Sequence, residues 1–306
     1  MVRVRWLDSV QWQFGTLALL PELLARATGW SLFGARLGLG LGLGGLLILL
    51  MVLIALLAPV LTQYDYGTVD MANKNQAPSA QHIMGTDPYG RDVWCRIVYG
   101  ARVSLVVSLA AVAIAIVFGS FMGIVSGYFK GVVDFAMGRV IDIMMAFPLL
   151  LLSLIIGVVL GASVKNMCIS IGVPLIPMFY RVARGATLNI GERTFVMAAQ
   201  SMGSSRFRIM LRHILPNALP QIFVVLSLSM GGSILAEASL GFLGLGIPQP
   251  TPSWGLVVNE GKQFMFNAPW TTGFSGAFIA ITILGFNLLG DGLRDYLDPK
   301  LKGLDG

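Results

Sequence analysis

Residues 195–217, FVMAAQSMGSSRFRIMLRHILPN, gather Arg206, Arg208, Arg212 and His213 between two long apolar runs. Grouped guanidiniums grip anionic groups, so such a stretch suits a protein partner or an anionic lipid surface. A second chemical candidate is Glu237, inside the apolar run GGSILAEASLGFLGLG. An ionisable group in such a run either handles protons or a solute, or is hydrogen-bonded to a neighbouring helix; the second is the commoner case.

Other chemistries lack their residues. No Gly-rich turn ends in Gly-Lys-Ser/Thr to cradle phosphates, and no Gly-x-Ser-x-Gly elbow is present. His82 and His213 are the only histidines, and no Cys/His spacing suits a metal. Cys95 and Cys168 lie in unlike surroundings and do not form a disulfide framework. Cys168 reads as a small core residue and Cys95 as a free thiol. A transporter built this way draws its energy from an ion gradient or from another polypeptide. A single intraspan carboxylate favours the polypeptide.

The elements that position these residues are membrane spans. Of 306 residues 56% are hydrophobic and 12% charged, against roughly 25% charged in soluble domains. Six apolar runs, about 37–61, 102–127, 140–162, 166–186, 220–244 and 272–290, approach the roughly 20 residues that cross a bilayer. The third and fourth make a tight hairpin at 162–165. Gly40 and Gly44, four apart in the first, predict a small-residue seam on a helix. Fifteen of the 21 Lys and Arg residues fall in 1–36, 127–139, 181–213 and 291–306. The remaining six are Lys74, Arg91, Arg96, Arg102, Lys165 and Lys262. The positive-inside rule then predicts both termini in the cytoplasm, external loops at 62–101 and 245–271, and the arginine-bearing loop 187–219 inside. The net charge of +6 thus reflects membrane sidedness rather than nucleic-acid binding. Residues 5–24 fit either an amphipathic helix on the membrane surface or a loosely ordered extension. They do not have the apolar core and cleavage site of a signal peptide.

Within 187–217 the sequence predicts a helix from Thr187 to Ala199 with Glu192 as its early acid, and then a bend at Gly203. A second helix capped by Ser204 or Ser205 follows, with Phe207, Met210, Leu211 and Ile214 on one face and Arg208 and Arg212 on another. Pro216 is expected to end it at the membrane edge.

The spacing resembles the Glu-Ala-Ala loop of membrane subunits in bacterial ABC importers. That pattern runs Glu-Ala-Ala, three residues, Gly, nine residues, Ile, any residue, Leu-Pro. Ala198, Ala199, Gly203, Leu215 and Pro216 match it, while Met197 replaces the Glu and His213 the Ile. HIMGTDPYGRDVWCRIVYGARVSL (82–105), EASLGFLGLGIPQPTPSWG (237–255) and FNLLGDGLRDYLDPKLKG (286–303) resemble the C-type permease of the dipeptide/oligopeptide class. The resemblance implies an all-α, six-helix type I importer transmembrane domain over 37–306, preceded by a segment 1–36, in the bacterial inner membrane. It also implies a second permease, two ATPase subunits that carry ATP and Mg, and an external solute-binding protein, with no cofactor or catalysis on this chain. Glu192, Met197, Ala198, Ala199, Gly203, Arg206, Arg208, Arg212, Leu215 and Pro216 would form the ATPase-coupling element. The acid that Met197 replaces is the one the family associates with ATPase contact, so shape and the arginines carry more of the grip here.

Gly85, Asp87, Gly90, Arg91 and Asp92 form an external motif that either pairs internally with Arg96 and Arg102 or touches substrate or binding protein. Trp254 reads as an anchor at the external interface. Asp291, Arg294 and Asp298 stand at helical spacing and suit a salt-bridged helix end.

Overall fold

The computed structural model describes residues 40–297, and among them every regular element is helical. α1 spans Gly40–Leu56, α2 Ala58–Leu61, α3 Val93–Phe129, α4 Gly131–Met145, α5 Leu149–Leu160 and α6 Val164–Gly191. Two short helices, α7 (Thr194–Ser201) and α8 (Arg206–Ile209), lead through a π-helical turn at Met210–Ile214 into α9 (Leu215–Phe242). α10 (Trp254–Gly261) and α11 (Pro269–Leu297) are the last of the described elements. The N-terminal segment 5–24 and Asp298 lie outside the described residues.

Among the described residues four helices are long and apolar enough to cross a membrane: α3, α6, the continuous rod Arg206–Phe242, and α11. The run expected at 140–162 is instead two helices, α4 and α5, meeting at 90°. Pro148 causes the break: it has no N–H to donate, and it drives Phe147 out of the helical region. α6 continues to Gly191, so Thr187 belongs to this long helix and not to a separate cytoplasmic one.

Small residues set how closely the helices pack. Gly119, Gly123 and Gly127 recur every fourth residue on α3, and a Cβ there would stand 2.6, 2.5 and 2.9 Å from the carbonyl oxygens of Ile176, Tyr180 and Arg184 on α6. The backbones of α3 and α6 therefore touch directly. The seam expected on the first run packs α1 against α11, where a Cβ on Gly44 would meet Leu289 N at 2.5 Å and Gly285 O at 2.9 Å. The core between α3, α6, α9 and α10 holds Ile97, Ile171, Phe179, Ile234 and Trp254. Trp254 is fully buried, and its indole N–H donates to Ile97 O at 3.0 Å, so it is a core residue and not an interface anchor.

Candidate functional site: an arginine-bearing bend and a buried ionic clasp

The arginine-bearing element starts where α6 stops. Glu192 is the C-cap of α6 rather than an early acid of α7, and its exposed carboxylate lies 3.9 Å from the exposed ammonium of Lys130. α7 buries Val196 and Ala199 against the spans and leaves Met197 and Ala198 exposed. Its end is a Schellman motif: Gly203 N–H donates to Gln200 O at 2.9 Å and Ser204 N–H to Ala199 O at 3.1 Å. Gly203 has φ +79°, a conformation that residues with a Cβ resist. The Ser205 hydroxyl then accepts from Arg208 N–H at 3.4 Å and caps α8.

The next turn departs from the expected helix. Ile209 and Ile214, five apart, are the buried residues, while Phe207 and Leu211 are exposed. The π-helical turn at Met210–Ile214 explains this, because an i→i+5 turn carries an extra residue and rotates the buried face. Pro216 does not end the helix; it sits in the first turn of α9, beyond that wider turn. The Asn217 side chain donates to His213 O at 2.6 Å and satisfies one local carbonyl. Leu215 is half-buried and Pro216 exposed. Arg206, Arg208 and Arg212 are exposed without an ion pair among the described residues, Arg206 lying over the Phe129 ring at 5.7 Å. The element is thus seated by Val196, Ala199, Ile209 and Ile214. It presents Met197, Met202, Phe207 and three guanidiniums outward, on the end of a helical rod that runs to Phe242.

At the other end, the 85–92 motif folds inward. Gly85 and Gly90 both adopt φ +74° and turn the chain around Asp87. Asp87 accepts from the Tyr89 and Arg91 backbone N–H groups at 2.8 and 3.0 Å, and from Arg91 Nε at 2.6 Å. Arg91 and Arg96 each donate to Glu260 Oε2, at 2.7 and 2.6 Å, and Gln249 donates to Oε1 at 2.7 Å. Asp92 caps α3 by accepting from Cys95 N–H at 2.7 Å, and it meets His82 Nδ1 at 2.9 Å. Asp87, Arg91, Asp92 and Arg96 are all buried, whereas Arg102 is exposed and takes no part. Burial pushes the Glu260 carboxyl above its ordinary range, while Arg96 and Arg91 pull it back down. The clasp bolts the loop before α3 onto α10. Glu260 escaped the sequence reading; its only signal was being a lone acid in WGLVVNEG.

Glu237 is fully buried, and Ser104 Oγ donates to its Oε2 at 2.8 Å. Ser104 Oγ in turn accepts from Trp254 N–H at 3.3 Å, so one carboxyl joins α9, α3 and α10. Both cysteines are free and buried.

This geometry can be set beside known proteins. The family described as "Binding-protein-dependent transport system inner membrane component" matches residues 115–303. The "N-terminal TM domain of oligopeptide transport permease C" matches 42–78. The dipeptide transport system permease protein DppC of Alkalihalophilus pseudofirmus is 45% identical over 259 residues, covering 85% of each chain. The probable D,D-dipeptide transport system permease protein DdpC of Escherichia coli is 39% identical over 292 residues, 94% of this chain and 97% of that one. The glutathione transport system permease protein GsiD of Escherichia coli O157:H7 is 42% identical over 259 residues, 84% of this chain and 86% of that one. Among solved structures, an inward-facing MetNI methionine ABC transporter superposes with a TM-score of 0.54 at 17% identity, over 64% of this chain and 93% of that one, and so shares the fold. The chain belongs to the inner-membrane components of binding-protein-dependent transport systems, as a multi-pass ABC permease of the dipeptide class.

Proposed function

We propose that this chain forms half of the translocation pathway of an ATP-driven importer of dipeptides or short oligopeptides, and couples it to ATPase subunits through 192–215. The observation that carries the reading is the 45% identity to a dipeptide permease over 85% of the chain. The exposed arginines, without ion pairs among the described residues, at the base of a continuous rod support the coupling role. Partner ATPases hold ATP and Mg; this chain performs no chemistry. A second permease completes the path, and an external solute-binding protein delivers cargo to the face braced by the Glu260 clasp. Six spans with both termini cytoplasmic fit the charge bias, with α1–α2 as the first and bent α4–α5 as the third. The transmembrane domain then runs over 37–306, after a segment 1–36.

Glu192, Met197, Ala198, Arg206, Arg208 and Arg212 stand where a cytoplasmic partner can reach them. Ala199, Gly203 and Leu215, with Pro216, fix the shape of the lever. When the ATPases close, the bend moves as a unit and drags the Arg206–Phe242 rod, switching the path between inward and outward opening. Glu237 and the motif Gly85, Asp87, Gly90, Arg91 and Asp92 serve packing. Import of glutathione by the same scaffold is the second reading, supported by the 42% identity to a glutathione permease.

Reconstitution decides between an importer and a lone ion-coupled carrier. The complex, purified with its co-migrating chains and sealed into liposomes with binding protein, should take up labelled dipeptide only with ATP. Uptake by this chain alone, driven by an ion gradient, would overturn the proposal.

A further inference from the structure

α4 and α6 run side by side in opposite directions, and their contacts fix the register. Asp134 accepts from Arg184 Nε and Nη2 at 2.5 and 2.6 Å. A Cβ on Gly138 would stand 3.9 Å from the Tyr180 hydroxyl. Between the two helices lies a cavity of about 560 Å³ lined by Asp134, Phe135, Arg139, Asp142, Tyr180 and Arg181. Arg181 also lines a second cavity of about 500 Å³ with Met144, Phe147, Leu152, Pro174 and Met178. A polar pocket thus adjoins an apolar one, with Arg181 at their junction.

The charges here are of two kinds. Asp134 and Arg184 are closed on each other, and Ser126 Oγ bonds to Asp134 and to the Tyr180 hydroxyl. Arg139, Asp142 and Arg181 are exposed and make no ion pair among the described residues; the Arg139 guanidinium lies over the Phe135 ring at 4.8 Å. Arg181 stands ten residues before the end of α6 at Gly191, roughly 15 Å along the axis at 1.5 Å per residue. Arg139 and Arg181 belong to the segments 127–139 and 181–213 that the charge bias assigns to the cytoplasmic side. The trench therefore lies toward that end of the spans, where unpaired charges face water, protein or a passing solute rather than lipid.

We infer that the α4–α6 trench is this subunit's wall of the solute path, in which Arg181 and Arg139 hold the carboxylate of a passing peptide and Asp142 its ammonium. This rests on the peptide-import reading above. Guanidinium forks match carboxylates in two-point fashion, and the acid beside them suits a zwitterion rather than a simple anion. The adjoining wall of methionine and proline accommodates side chains of differing shape without selecting among them.

The test uses the whole complex with its ATPases and binding protein. Gly138→Cys places a thiol where only the Tyr180 hydroxyl is near, while native Cys95 and Cys168 are buried. A membrane-impermeant maleimide applied from the cytoplasmic side without nucleotide should label it. Lack of labelling means that lipid or the second permease covers the trench, and overturns the inference. Arg181→Gln should lower dipeptide uptake per ATP hydrolysed about tenfold, with binding-protein-stimulated hydrolysis kept within about twofold, and Arg181→Lys should recover much of the loss. Unchanged uptake per ATP in Arg181→Gln overturns the carboxylate assignment even if labelling succeeds. If the unmodified complex hydrolyses ATP but imports no dipeptide, the peptide reading and its ligand fall together, and the labelling still decides the trench.

Discussion

Glu260→Ala is the sharpest test of the Glu260 clasp. Glu260 Oε2 accepts from Arg91 and Arg96, whose side chains are 3% and 0% exposed, and Glu260 itself is 5% exposed. Without it Arg91 keeps Asp87 at 2.6 Å, but Arg96 is left with Asp87 at 3.6 Å and Tyr66 O at 3.5 Å. Removing one partner of a buried ion pair costs about 3–5 kcal/mol, because the remaining charge stays desolvated. Removing both partners costs far less, since well-packed apolar side chains replace an ion pair at little net loss. Glu260→Met with Arg96→Met leaves the Arg91–Asp87 pair intact and should recover at least half of the loss. Denaturant unfolding in detergent, followed by tryptophan fluorescence, measures both. Trp270 reports locally, since its indole N–H donates to Thr86 O at 3.0 Å beside the clasp. A loss below about 1 kcal/mol in Glu260→Ala, or a double variant no better than the sum of its parts, would refute the idea that this carboxylate neutralises two buried guanidiniums.

Three further outcomes follow from the helix contacts. Gly203→Pro cannot adopt φ +79°, and Ala199→Asp buries a charge; both should abolish ATP-driven uptake while membrane insertion, read by fractionation, stays normal. Normal uptake by either would remove the lever. Gly44→Leu drives a side chain into the α11 backbone at 2.5 Å, so α1 should detach, at a cost of about 1–3 kcal/mol or more in unfolding measurements. Unaltered stability would mean that α1 does not pack there. Glu237→Gln keeps an acceptor for Ser104 and should stay within about 1 kcal/mol of the parent, with uptake retained; loss of uptake with stability intact would assign Glu237 to the path instead.

The sequence carried the features that are written locally. Apolar runs, the charge bias, the Gly40–Gly44 seam and the Gly203 bend were legible because each depends on residues within one or two turns of the chain. Pro148 was also in view, yet the 140–162 run was read as one helix because hydropathy counts apolar residues and ignores a missing N–H. The face of the second short helix was misread for a similar reason: a 3.6-residue period cannot foresee a π turn, which moved burial from Phe207 and Leu211 to Ile209. Trp254 and Glu260 needed the tertiary structure. A tryptophan between two apolar runs suits an interface as well as a core, and only the packing of α10 on α3 and α9 buried it. Glu260 meets Arg91 across 169 positions of sequence, and no local pattern marks a carboxylate whose partners are that distant. By itself the sequence determined where the apolar runs lie, how charge is shared out between them and where the Gly203 bend falls. Only the fold decided which charges neutralise one another and which, like Arg181, make no ion pair among the described residues, because pairing depends on helix packing that neighbouring residues do not encode.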